Sequence, residues 1–69
     1  MPQIKITLNG EQKILAKNIA ISQLISDLEL DVKKIAIERN LEIIDPATFS
    51  ATIINDGDVV EIVHFIGGG

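Results

Sequence analysis

Gln3 to Leu8 alternates, with Ile4, Ile6 and Leu8 on one side of an extended backbone and Lys5 and Thr7 on the other, and it runs straight into Asn9-Gly10. Alternation at a period of two marks a strand with one buried face. Asn-Gly is the strongest short hairpin signal, because both residues accept the positive φ that a two-residue turn demands. The chain is therefore expected to double back at once, into a second strand from Glu11 to Ala16 that carries Ile14.

The period then changes. Ile21, Leu24, Ile25 and Leu28 fall at i, i+3, i+4 and i+7, one stripe of a helix expected over Ala20 to Leu30 and ending near Leu30-Asp31. Two residues compete for its N-cap: Ser22 has the side-chain oxygen that capping uses, and Ala20 has none. Ile35 to Arg39 reads as a short strand, Asn40-Leu41 as a turn and Glu42-Ile43-Ile44 as a short return strand. Asp45-Pro46 closes that piece, since proline cannot donate to a ladder. Ala47 to Ala51 is expected as an irregular or helical turn. Asn55-Asp56-Gly57-Asp58 is a second strong turn, leading into a last strand, Val59 to Ile66. This order predicts an α+β domain, a mixed sheet of about four to five strands with one main helix packed on one face.

Size and charge narrow the function. Sixty-nine residues make one domain, and a chain of this length buries only about 60% of its extended-chain surface. Its 46% hydrophobic content compensates, with Phe49 and Phe65 the only aromatics. With no cysteine, disulfides and cysteine-based metal sites or nucleophiles are excluded, and the absence of disulfides in so small a domain favours a cytoplasmic location. The opening residues, Met1-Pro2-Gln3-Ile4-Lys5, are not expected to act as a signal peptide, and no apolar run approaches the length that spans a membrane. A formal charge of −4 and a pI near 4.6 argue against nucleic acid, which needs a basic stripe. They fit a protein that docks on other proteins.

The functional signal lies at the other end. Gly67, Gly68 and Gly69 stand directly after Val59-Val60-Glu61-Ile62-Val63-His64-Phe65-Ile66. Glycine has no Cβ, so a terminal glycine can carry its carboxylate into a channel too narrow for any other residue. Residues 1–66 are expected as the folded domain and residues 67–69 as a flexible tail carrying the reactive carboxylate. In the last strand Glu61 belongs on the solvated face, which places Val63 and Phe65 there with it. These two are candidates for a partner-docking patch, or simply apolar residues lapping over a strand edge.

The strand order, the Asn55-Asp56-Gly57-Asp58 turn and a last strand running into Gly67-Gly68-Gly69 resemble the ubiquitin-like sulfur carriers. Within that group the finish Val63-His64-Phe65-Ile66-Gly67-Gly68-Gly69 and the stretch from Ile35 through Ile44 look most like ThiS, the sulfur carrier family of thiamine biosynthesis. The resemblance covers the whole chain, and its specific part is the tail with the turn before it. It implies a ubiquitin-like β-grasp fold and a protein cosubstrate rather than an enzyme. Gly69 would be the site of adenylation and of the thiocarboxylate, and Gly68 and Gly67 would be the part of the tail that enters the partner's active site. A ThiF-type adenylyltransferase using ATP, a sulfur donor such as a cysteine desulfurase, and the thiazole synthase ThiG are the partners it implies, with no resident cofactor. A molybdopterin-type sulfur carrier, or a ubiquitin-like binding module with an inert tail, are the alternatives.

Two positions depart from the family pattern. Leu41 follows Asn40 where members often have glycine, which strains the turn if that position needs positive φ. Ala20 stands where a hydroxyl cap is common. Other candidate signals are weaker. Asp56-Gly57-Asp58 lacks the oxygens and distant glutamate of a calcium loop. His64, the only histidine, has no nucleophile or carboxylate at a motif spacing and reads as a surface strand residue. Lys33-Lys34 is expected to complement the helix dipole or solvate a loop, and Glu38 and Arg39 are expected as solvated strand-end charges.

Overall fold

The computed structural model describes residues 2–65; Met1 and residues 66–69, all three tail glycines among them, lie outside the described residues. Strands β1 (Gln3–Leu8) and β2 (Glu11–Ala16) form the expected hairpin, in register from Gln3 opposite Ala16 to Leu8 opposite Glu11. Asn9 and Gly10 both take left-handed backbone, with φ of 49° and 82°, the turn geometry that matches the twist of paired strands. Helix α1 (Ile21–Asp27) comes next, then β3 (Ile35–Arg39), β4 (Glu42–Ile43) and β5 (Val59–His64). Short 3₁₀ turns occupy Val32–Lys34 and Pro46–Thr48. The sheet order is β2-β1-β5-β3-β4. Because β5 runs parallel to β1 and antiparallel to β3, the sheet is mixed. With one helix against it, the arrangement is the β-grasp that the resemblance implies.

One face of the sheet is dry. Ile4, Ile6, Leu15, Ile35, Ile37, Val60 and Ile62 pack in one cluster with Ile21, Leu24 and Ile25 of α1, completed by Ile19, Phe49 and Ile54. Burying a side chain of this class stabilises by about 1.5–3 kcal/mol, so this cluster dominates the cohesion of a chain that has no disulfide. In β2 the inward residue is Leu15, and Ile14 is exposed. The register decides this: Leu15 lies directly opposite Ile4 and Ile14 opposite Lys5, and directly opposite residues share a face.

Helix α1 takes one of its two candidate N-caps and ends earlier than expected. Its N-cap is Ala20, with no side-chain cap. The first amides instead donate to carbonyls of a distant segment, Ile21 to Thr52 at 2.9 Å and Ser22 to Phe49 at 3.1 Å. These bonds satisfy donors that a capping hydroxyl normally covers, so Ala20 suffices. The helix stops at Asp27 because Glu29 swings to φ 56°. Leu30 then donates to Ile25 O at 3.1 Å and Glu29 to Ser26 O at 3.0 Å, the paired bonds of a Schellman cap. Leu30 still packs against the core, which is why the apolar pattern runs past the true helix end.

The β3–β4 turn resolves the question at Leu41. Asn40 sits at φ 52° and Leu41 at φ 72°, so the second position does require left-handed backbone, and leucine occupies it with its side chain 83% exposed. A residue with a Cβ costs roughly 1–2 kcal/mol in that conformation, and nothing buried offsets it. Leu41→Gly is expected to raise stability by about 0.5–1 kcal/mol after allowing for the greater freedom of glycine in the unfolded chain, read as a shift of the urea unfolding midpoint at unchanged m-value.

Candidate functional site: the exit of the last strand

The tail glycines follow β5, so the site is the strand that leads to them and the groups that hold it. Val59, Val60, Ile62 and Val63 are β-branched and favour extended backbone. Val60 is 0% exposed and Ile62 points inward with it, whereas Val59, Glu61 and Val63 point outward. Val63 is 56% and Phe65 58% exposed, as expected from the alternation around Glu61.

The turn before β5 is fastened on two sides. Asp58 is only 7% exposed, and its carboxylate accepts from the Asn55 amide at 2.9 Å and from Asn40 Nδ2 at 3.1 Å. The guanidinium of Arg39 lies 3.8 Å from the same carboxylate and donates to the carbonyl of Ile53 at 3.0 Å. On the other side Asp56 accepts the Lys5 amide at 2.8 Å, while the Gly57 amide donates to Lys5 O at 2.8 Å. These bonds fix where β5 begins relative to β1 and to the β3–β4 turn.

Two asparagines then hold β5 itself. Asn40 donates its amide to Val59 O at 2.8 Å and accepts the Val59 amide on Oδ1 at 2.9 Å. Asn9 donates its amide to Val60 O at 2.9 Å and accepts the Ile62 amide on Oδ1 at 2.7 Å. Both residues sit in hairpin turns at positive φ, where asparagine is tolerated because its short polar side chain finds local partners. Here the side chains substitute for the ladder bonds that the turning backbone no longer provides.

The outer face beside the exit is apolar and acidic. Val63 is paired with Ala36. Phe65, Ala36, Ile43, Ile44, Val32 and Pro46 line an open groove of about 550 Å³, together with Ile35 and Lys33. Next along the strand, Glu61 stands directly opposite Glu38, a like-charge pairing that opposes sheet stability. The only ion pair among the described residues is the one between Arg39 and Asp58. His64 is exposed, in register with Ile35. No cluster of three or more His, Asp or Glu suited to a metal occurs among the described residues. What the exit presents to a partner is backbone, apolar surface and two carboxylates.

Several side chains differ from their expected roles. Arg39 is not a free strand-end charge, because it spans Asp58 and Ile53. Lys33 and Lys34 lie exposed beyond the end of α1, in a separate 3₁₀ turn whose start is capped by Asp31 Oδ1 on the Lys33 amide at 2.9 Å, which fits the loop-solvating alternative. Asn9, Asn40 and Asp58 are the supports of the site that sequence reasoning saw only as turn formers. Apart from the Asn55 amide within the turn itself, the partners of these side chains lie 18 to 53 residues away, and no local pattern announces such bonds. Gly67, Gly68 and Gly69 keep the standing of expectations, being outside the described residues.

Comparison with known proteins places this geometry. The model of the ThiS family matches residues 6–69. The chain is 38% identical over 65 residues to the sulfur carrier protein ThiS of Bacillus subtilis, covering 93% of this chain and 98% of that one. It is 41% identical over 66 residues to a thiazole synthase of Paramagnetospirillum magneticum, covering 96% of this chain but 20% of the synthase; it likewise spans only 20% of a second thiazole synthase. The crystal structure of the thiamine biosynthesis protein ThiS from Geobacter metallireducens superposes with a TM-score of 0.83 at 32% identity, over 96% of this chain and 100% of that chain.

Removing the Asp58 carboxylate leaves the Asn55 amide and Asn40 Nδ2 without their acceptor and the Arg39 guanidinium without its counter-charge. Asp58→Ala is expected to destabilise by about 2–3 kcal/mol, the range for losing hydrogen bonds to a charged group, measured by urea unfolding. Asp56→Ala, whose one bond is exposed, is expected to cost about 1 kcal/mol or less on the same principle.

Proposed function

Because this chain belongs to the ThiS family, we propose that it is a sulfur carrier of thiamine biosynthesis, a protein cosubstrate whose reacting group is the carboxylate of Gly69. A carboxylate is a poor electrophile. An adenylyltransferase of the ThiF type overcomes this by letting the carboxylate oxygen attack the α-phosphorus of ATP, with pyrophosphate leaving. The terminal sulfur of a donor persulfide, such as that of a cysteine desulfurase, attacks the acyl carbon and AMP departs, leaving an acyl disulfide. A thiol then attacks the donor-side sulfur, forming a disulfide with it and releasing the thiocarboxylate, so that one carboxylate oxygen is replaced by sulfur. A thiazole synthase takes that sulfur, and the carrier returns as its carboxylate. The catalytic groups and the ATP site belong to the partners, and the chemistry fits a cytoplasmic location with access to ATP.

The observation that carries this reading is the placement of β5. It is the middle strand of the sheet, fastened by Asn9, Asn40 and the Asp58 turn, and it leads directly to Gly67, Gly68 and Gly69. A firmly held strand limits the conformational freedom that must be lost when the glycines enter a partner, and that loss weakens binding. The thiazole synthases with a segment similar to this chain support such an enzyme as the consumer of the sulfur. Val63 and Phe65 are the proposed docking contacts, since they form exposed apolar surface within a few residues of the tail.

Incubation with ATP, a ThiF-type enzyme and a sulfur source is expected to raise the intact mass by the difference between sulfur and oxygen, and deleting Gly69 is expected to abolish the gain while leaving the melting temperature nearly unchanged. An unmodified mass beside an enzyme that thiolates its own carrier would favour a binding module with an inert tail. Val63→Ser and Phe65→Ser are each expected to raise the KM for the carrier about tenfold, the effect of losing one well-placed apolar contact of about 1.4 kcal/mol, with a change in unfolding free energy of about 0.5 kcal/mol or less because both are exposed.

A further inference from the structure

One edge of β5 is left unused by the sheet. The odd-numbered residues of the strand bond toward β3: Asn40 donates to Val59 O at 2.8 Å and Phe65 to Lys34 O at 2.8 Å, with Glu61 opposite Glu38 and Val63 opposite Ala36 between them. The even-numbered residues face β1. Asp58 O accepts from Thr7 at 3.0 Å, Val60 O from Asn9 at 2.9 Å, and the Ile62 amide reaches Asn9 Oδ1 at 2.7 Å. Pairing with β1 covers only Thr7 with Val59 and Leu8 with Val60, because at Asn9-Gly10 the chain turns back into β2. Beyond the Asn9 side chain nothing among the described residues bonds to the carbonyl of Ile62 or to the amide and carbonyl of His64. Three main-chain groups therefore have no hydrogen-bond partner among the described residues, on a strand whose other edge pairs with β3. Such an edge is a ready template for an added strand, with affinity coming from main-chain hydrogen bonds.

We propose that an extended segment of the adenylating enzyme pairs with the Ile62–His64 edge as an additional strand, and that this pairing aims the residues after Phe65 into that enzyme's active site. The inference rests on the carrier function proposed above. Two observations choose this occupant over a second copy of the chain. The edge ends a few residues before the reacting glycine, so a segment seated on it lies against the tail it has to receive. The outer face beside it carries Glu61 opposite Glu38, with no cation paired to either among the described residues, on a chain of net charge −4. A second copy would set Glu61 near its own equivalent, whereas a segment bearing lysine or arginine relieves the repulsion.

The strand pattern supplies its own controls. Proline lacks the amide proton and is tolerated where that proton faces solvent on a strand edge, so His64→Pro removes one of the proposed bonds and leaves the ladder to β3 intact. His64→Ala removes the side chain alone. Val63→Pro, one residue earlier, cuts the ladder to Ala36 and is expected to unfold the exit of β5. With a purified ThiF-type enzyme, the KM for the carrier in ATP–pyrophosphate exchange is expected to rise about tenfold or more for His64→Pro and to change by less than about twofold for His64→Ala. In the free wild-type chain the His64 amide is expected to exchange with deuterium fast while the Val63 and Phe65 amides are protected; adding the enzyme is expected to protect His64 as well. Equal KM values for wild type and His64→Pro overturn the proposal, as does a His64 amide that stays fast in the complex, a reading that holds even if the proline variant does not fold. A wild-type dimer in sedimentation that His64→Pro dissolves also overturns it, in favour of self-association. No exchange activity with the wild-type chain, beside an enzyme active on its own carrier, overturns the carrier reading and this inference with it.

Discussion

Strand β5 has to be held on both sides by backbone that is turning away from it. It occupies the middle of the sheet, and Val60 at its centre has no exposed surface. Yet β1 ends at Leu8 and β3 at Arg39, each in a tight turn. The side-chain oxygens of Asn9 and Asn40 continue the two ladders where the main chains leave off. Orphaning the part-buried Ile62 amide would cost about 1–3 kcal/mol, a large share of the stability of so small a domain, whereas the exposed Val59 bond is worth about 1 kcal/mol or less. The core packing, the position of the Asp58 turn and the direction of the exit all follow from this clamp.

The same clamp divides the molecule by purpose. Behind β5 lies a dry cluster of isoleucine, leucine and valine with α1 across it. In front lies a face that a purely stable protein would not choose: Val63 and Phe65 bare, Ile43 and Ile14 exposed, and two glutamates directly opposite each other. Exposed apolar surface and an unrelieved like-charge pair both weigh against the isolated domain. They are intelligible for a surface that is covered by a partner, as proposed above. Family membership and that face are both consistent with the carrier role proposed above.

Much of the frame was legible in the residues because the signals were local. The alternation from Gln3 to Leu8, the Asn9-Gly10 turn, the stripe Ile21, Leu24, Ile25 and the Asn55–Asp58 turn each depend on neighbours within a few positions, and each lies where it was expected. What the residues left open or misplaced shares a different cause. Ala20 serves as N-cap because carbonyls of Phe49 and Thr52 arrive from elsewhere. Leu15 rather than Ile14 faces inward because pairing with Ile4 sets the register. Arg39 is tied down because Asp58 and Ile53 come to it across the fold. In each case a distant segment overrode what the nearby residues preferred.

The sequence by itself determined the class of fold, the number and order of its main elements, and the apolar face of its last strand, since hydrophobic period and turn chemistry act over short stretches. The resemblance of its final residues to a known family also indicated where the chemistry would lie. Only the tertiary structure decided that β5 stands between β1 and β3, that two turn asparagines complete its ladders, and that its edge goes unpaired after Ile62. The physical reason is that strand pairing and buried hydrogen bonds join residues up to 53 positions apart, and such bonds are set by the packing of the whole domain rather than by any segment within it.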